Sequence, residues 1–181
     1  MLKKLIMLVL VCILFPAVVF ANQSQDKVPC LGDLNWGESS YTVSQKYRLT
    51  QIPSFTYDRT GTVCSVSLDN PYIYGVRVMP TATMIFTNDK LYLISFTFSM
   101  YENDTEYKRI RKIFIEQFGE PSKTATFDGR SEYTLWDKDV FSITLTMSSI
   151  SFSHTGLSEE AEKASDEAQG KNITDWSSYV H

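Results

Sequence analysis

The chain has 181 residues, 43% of them hydrophobic and 13% aromatic, with 17 Lys or Arg against 21 Asp or Glu and a net charge of −4. That balance disfavours nucleic acid as a partner, because phosphate binding depends on a basic surface that releases counterions. With only His154 and His181 in the sequence, there is no histidine cluster for zinc and no convincing base for a Ser or Cys nucleophile.

Residues 1–21 start with Lys3 and Lys4, continue through an apolar run from Leu5 to Val19, and reach a small residue, Ala21, after Val19-Phe20. This is the three-part pattern of a cleaved secretory signal, and the run is short for a membrane span. Cys12 lies inside the run behind Val11, where a lipid-attachment site wants a small residue. The expected product is an exported, periplasmic or secreted chain beginning near Asn22, with no membrane span after cleavage. It keeps 15 of the 17 basic residues and all 21 acids, so its net charge falls to about −6, counting each Lys, Arg, Asp and Glu as a unit charge.

Two cysteines then remain, Cys30 and Cys64, in an oxidising compartment, and the expectation is a disulfide between them. Such a bond closes a loop of about 35 residues, worth about 3 to 4 kcal/mol in the loop-entropy model.

Past a polar stretch from Asn22 to Val28, the turn-rich segment Leu31 to Gly37 leads to a short helix from Ser39 or Ser40 to Leu49, capped by one of those serines. From Phe55 the period becomes two. Val63 to Leu68 places Cys64, Val66 and Leu68 on one face and Ser65 and Ser67 on the other. Strands at Tyr72 to Met79 and Ala82 to Thr87 follow, separated by Pro80, and Asn88-Asp89 signals a tight turn. In Leu91 to Ser99 the predicted core face is Tyr92, Ile94, Phe96 and Phe98.

A helix over Asp104 to Phe118 carries Tyr107, Ile110, Ile113 or Phe114, and Phe118 on one stripe. Asn103 or Asp104 is placed to cap its start, and Gly119 with Pro121 to stop it. Strands return at Lys123 to Phe127, Ser131 to Trp136, Val140 to Met147 and Ile150 to His154, the first two joined by a hairpin turn at Asp128-Gly129. Apolar residues alternate with Ser and Thr along them, which describes an antiparallel sheet with one face on helices and one face wet. Beyond Gly156 an acidic, alanine-striped helix and a tail to His181 are expected, with Trp176 and Tyr179 in the tail.

The expected fold is α+β: a curved antiparallel sheet with helices on one face, in a single domain over 22–156. Its two halves, 30–99 and 100–156, each run from a helix into hairpin-connected strands, a possible tandem repeat.

No cofactor is expected. Glu102, Asp104 and Glu106 read as helix-start acids, since the glycine and final glutamate of an EF-hand are missing. No glycine-rich phosphate loop is present. His154 reads as a packed or capping histidine. One charged feature stands out: Lys108, Arg109, Arg111 and Lys112 surround Ile110, a candidate contact surface for an acidic partner or anionic headgroup.

Trp36-Gly37-x-Ser39-x-x-x-Val43 at a helix start, Phe118-Gly119-x-Pro121 at a helix end and Trp136 a hairpin later resemble the small envelope domains of the SmpA/OmlA type and the tandem repeat of the beta-lactamase inhibitor protein. The similarity covers Leu34 to Phe152, through short motifs. It implies a binding module without catalytic residues, working through its open sheet face or loops, with another envelope or secreted protein as partner. The chain lacks the lipid-attachment cysteine of the SmpA/OmlA pattern. The functional expectation is therefore a noncatalytic binding protein: an inhibitor, an immunity-type neutraliser or an envelope assembly factor. The alternatives are a carrier holding a small apolar ligand near Tyr92, Phe96 and Phe114, and, least favoured, a hydrolase.

Overall fold

The computed structural model describes residues 26–52, 61–98, 104–127 and 131–168. The expected signal segment, the expected cap Asn103, the expected turn at Asp128-Gly129, and Trp176 and Tyr179 lie outside them. The chain forms two compact units that divide between Asn35 and Trp36. In the first, Val28 and Leu34 close a tight loop through the Val28 N–H to Leu34 carbonyl hydrogen bond and a Lys27–Asn35 bridge, and both are fully buried. No helix among the described residues is long and apolar enough to cross a membrane.

The second unit is α+β, an open antiparallel sheet with three helices among the described residues. Its elements are α1 (Ser40–Ser44), β1 (Leu49–Gln51), β2 (Gly61–Ser67), β3 (Tyr72–Ile73), β4 (Val76–Thr87), β5 (Lys90–Phe98), α2 (Asp104–Phe118), β6 (Lys123–Phe127), β7 (Ser131–Asp137), β8 (Phe141–Leu145), β9 (Ser149–His154) and α3 (Thr155–Ala168). The spatial order is β1-β2-β4-β5-β9-β8-β7-β6, with β3 pairing β4 off this path. Each half is thus a helix followed by a four-strand meander, and the two meanders meet back to back at the antiparallel β5–β9 pair.

Register decides which residues share a face, because directly opposed residues on antiparallel strands point the same way. Cys64, Met84, Ile94, Phe152, Ile143 and Trp136 form one continuous row across six strands. Two residues along lies a second row, Val66, Ala82, Phe96, Ile150, Leu145 and Thr134. All twelve are buried, so these rows are the core floor of the sheet. Helix α2 lies on that floor: Phe114 meets Trp136 and Phe152, Phe118 meets Phe141 and Phe152, and Tyr107 Oη lies 2.6 Å from Thr134 Oγ1. The helix stops where its sequence says. Gly119 takes φ of 80° and its N–H bonds the Ile115 carbonyl, while the Trp136 indole N–H and the Lys138 ammonium donate to the Gly119 and Phe118 carbonyls.

Several local expectations change. The first helix is five residues and ends at Ser44 rather than Leu49, because Leu49–Gln51 pairs with Cys64–Val66 and extended ladder bonds replace further helical turns. Pro80 does not divide two strands. It sits within β4 at a register shift between Val78 and Ala82, a place where the missing N–H leaves no ladder bond broken. Leu91, which simple alternation with Tyr92 and Ile94 would place on the other face, is fully buried, because a register shift between Ile85 and Phe86 sets it opposite the buried Phe86. The expected Cys30–Cys64 disulfide is absent, and both thiols are free. Cys64 is a core residue opposite Met84, and Cys30 belongs to the other compact unit. Burial pushes both thiols above their ordinary range.

Candidate functional site: the hydroxyl face of the sheet

Between the two core rows, pointing the other way, runs a row that crosses all eight strands of the main path: Thr50, Ser65, Thr83, Ser95, Ser151, Thr144, Leu135 and Lys123. Six of the eight side chains are hydroxyls. Ser153 and Ser142 extend the same chemistry in the adjacent row, beyond Val63, Ile85 and Leu93. Alternation makes this unavoidable, since a strand that buries every second residue sends the intervening ones to the opposite face.

Three pairs of hydroxyls on this face bond one another. Ser151 Oγ donates to Ser95 Oγ at 2.9 Å, Ser142 and Ser153 share a bond of 2.8 Å, and Thr146 and Ser149 one of 2.9 Å. No nucleophile among them is set up by a histidine in these bonds. His154 is occupied elsewhere: its Nδ1 accepts the Leu157 N–H at 3.1 Å, capping the start of α3, and its ring packs edge-on to Trp36 at 6.1 Å. Among the described residues no group of three or more His, Cys, Asp or Glu is placed to hold a metal ion.

The basic set on α2 is not one patch. Lys108, Arg109 and Lys112 are exposed, whereas Arg111 is half-buried with an Nε that is buried and unbonded. Tyr107, Ile110 and Phe114 define the buried side of the helix, and Arg111, four residues after Tyr107, falls beside it. Its aliphatic stem is part of the packing. The residues named for the alternative ligand reading are buried: Tyr92, Phe96 and Phe114 are 6%, 0% and 1% exposed, and Phe114 is ringed by Tyr74, Phe118, Trp136 and Phe152.

Tyr72 to Met79, expected as a single strand, displays residues that a single strand does not predict. It is a hairpin. Tyr74 and Gly75 take φ of 49° and 78°, a two-residue turn, and Tyr72 stands opposite Arg77. Ile73, Val76 and Val78 are buried, while Tyr72, Arg77 and Met79 are exposed. Tyr-Gly in the middle of an alternating run was the available signal.

No protein-family model, curated protein or solved structure matches the chain at a significant level.

Proposed function

We propose that the protein is an exported, noncatalytic protein-binding module of the envelope or secreted space, an inhibitor, immunity-type neutraliser or assembly factor, that engages its partner through the hydroxyl face of the sheet. The observation that carries this is the row from Thr50 to Lys123, which crosses eight strands and whose first six members, Thr50 to Thr144, are all short hydroxyl side chains. Short hydroxyl side chains have little rotamer entropy to lose when a partner covers them. At a strand spacing of about 4.8 Å the face is about 34 Å wide, and with strands of three to twelve residues its area is of the order of the 800 Å² each partner buries in a specific complex.

Two further points support the reading. The signal-like start of the sequence favours export. The mirrored halves, each a helix followed by a meander, have the layout expected from the resemblance to the beta-lactamase inhibitor protein repeat, a family of binding modules.

Photo-crosslinking residues placed at Thr83 and Thr144, and as a control at Lys163 on α3, test the proposal in the envelope fraction of expressing cells. A discrete protein adduct from the sheet positions alone is expected. Adducts from all three sites, or from none, overturn it.

A further inference from the structure

Among the described residues the large hydrophobic side chains left exposed are Tyr41, Tyr72 and Met79, at 72%, 51% and 40%. Two of these three lie on the outer side of one small hairpin, with Arg77 between them. We infer that Tyr72, Arg77 and Met79 form the energetic centre of the binding face, and that they take a protein partner presenting a carboxylate set in apolar surface. This rests on the binding-module reading and adds the place and the partner chemistry.

The residue types are the first argument. Tyr, Met and Arg are enriched at protein interfaces over the rest of the surface, and Tyr and Arg dominate the small set of side chains that carry binding energy. An aromatic ring and a thioether left in water beside a guanidinium are poorly explained by folding, because the hairpin's stability comes from its other side.

Rigidity is the second argument. Ile73, Val76 and Val78 are 5%, 2% and 1% exposed. At the tip, Tyr74 packs edge-on to Phe114 at 5.5 Å and to Phe118 at 5.3 Å, and also meets Phe152. The turn is therefore fixed onto the core layer under α2, and the backbone that carries Tyr72 and Arg77 pays little ordering entropy on binding.

Continuity is the third. Val78 pairs with Phe98, and Ala82 with Phe96, all on the buried face. Arg77, Met79 and Thr81 are exposed and Thr83 is half-buried beside these buried residues, so the hairpin's outer residues run along β4, through the register shift at Pro80, to the hydroxyl row. Tyr72 joins them by standing opposite Arg77. Partner chemistry follows from the set: the planar guanidinium of Arg77 receives a carboxylate through two parallel hydrogen bonds, flanked by the Tyr72 ring and by the Met79 thioether, which adapts to irregular apolar surface.

The test uses a random peptide library displayed on phage, selected on the full exported chain. Enriched peptides are expected to carry Asp or Glu beside Leu, Phe or Trp, and to lose affinity about tenfold or more on Arg77→Lys and on Tyr72→Ala. Both variants should keep the parent melting temperature. Enriched peptides without an acidic residue, or ones that bind Arg77→Lys as tightly as the parent, overturn the inference. So does a failure to enrich any peptide. Binding lost on Thr83→Trp with Thr144→Trp but kept on Arg77→Lys overturns this inference alone and leaves the sheet-face reading standing. Binding insensitive to both pairs overturns both.

Discussion

The Tyr107 hydroxyl and the Thr134 hydroxyl meet at 2.6 Å in the buried layer between α2 and β7, and Thr134 is fully inaccessible. A hydrogen bond of this kind is asymmetric in its consequences. Losing one partner strands the other, at a cost of about 1 to 3 kcal/mol, while replacing both with apolar groups of the same shape is nearly neutral. Tyr107→Phe and Thr134→Val should each destabilise, and the double variant should recover most of the loss. Urea denaturation of the four chains measures this, and additive losses would contradict it.

Phe114 is the keystone of the aromatic layer, in ring contact with Tyr74, Phe118, Trp136 and Phe152. Phe114→Ala should cost about 3 to 5 kcal/mol through lost transfer energy and the cavity left behind. Because Tyr74 is the hairpin tip, amide exchange over Tyr72 to Val78 should also accelerate in this variant. Unchanged exchange there would separate the hairpin from the core.

The four basic residues of α2 should divide when they are changed singly. Lys108→Glu, Arg109→Glu and Lys112→Glu are exposed changes and should move stability by no more than about 0.5 kcal/mol. Arg111→Ala should cost about 1 kcal/mol or more, through the packed stem of that side chain. Thermal melts of the four variants decide it. An Arg111→Ala chain as stable as the parent would return that residue to the solvent-exposed set.

Asp89 sits at a turn with φ of 57°, and its Oδ1 accepts hydrogen bonds from both the Ser40 N–H, at 2.9 Å, and Ser40 Oγ, at 2.6 Å. These bonds hold the carboxyl below its ordinary value of 3.8. A depressed carboxylate contributes stability that is present above the unfolded value and fades as pH falls through the folded one. The parent should therefore be more stable than Asp89→Asn at pH 6, with the gap closing below about pH 4. Asparagine tolerates the left-handed turn, so the comparison isolates the charge. Denaturation midpoints at the two pH values measure it, and a gap that widens in acid would reverse the sign.

Much of the fold was legible because strand and helix periods are local. Alternation in Val63 to Leu68, in Val140 to Met147 and in Ile150 to His154 marked three strands, and Cys64, Val66, Ile143, Leu145, Ile150 and Phe152 on their predicted core faces are buried. The stripe at Tyr107, Ile110 and Phe114, with Gly119 beyond Phe118, marked α2 at both ends. What failed locally failed for non-local reasons. Leu49 to Gln51 is a strand because β2 lies beside it, and Leu91 is buried because a register shift in the β4–β5 pair sets it opposite Phe86. Arg111 left the basic set because only the seating of α2 shows which side of the helix faces the sheet.

The candidate site divides the same way. The sequence by itself determined that the strands carry hydroxyls on one side, because a period of two assigns faces without reference to any neighbour. Only the tertiary structure decided that those sides line up, through the registers joining β1, β2, β4, β5, β9, β8, β7 and β6, into one row from Thr50 to Lys123. It also decided that the Tyr74-Gly75 turn folds Tyr72 back against Arg77 beside Met79. Register and the return of a hairpin are set by which strands meet, and hydrogen-bond pairing between distant segments is not written in either segment alone.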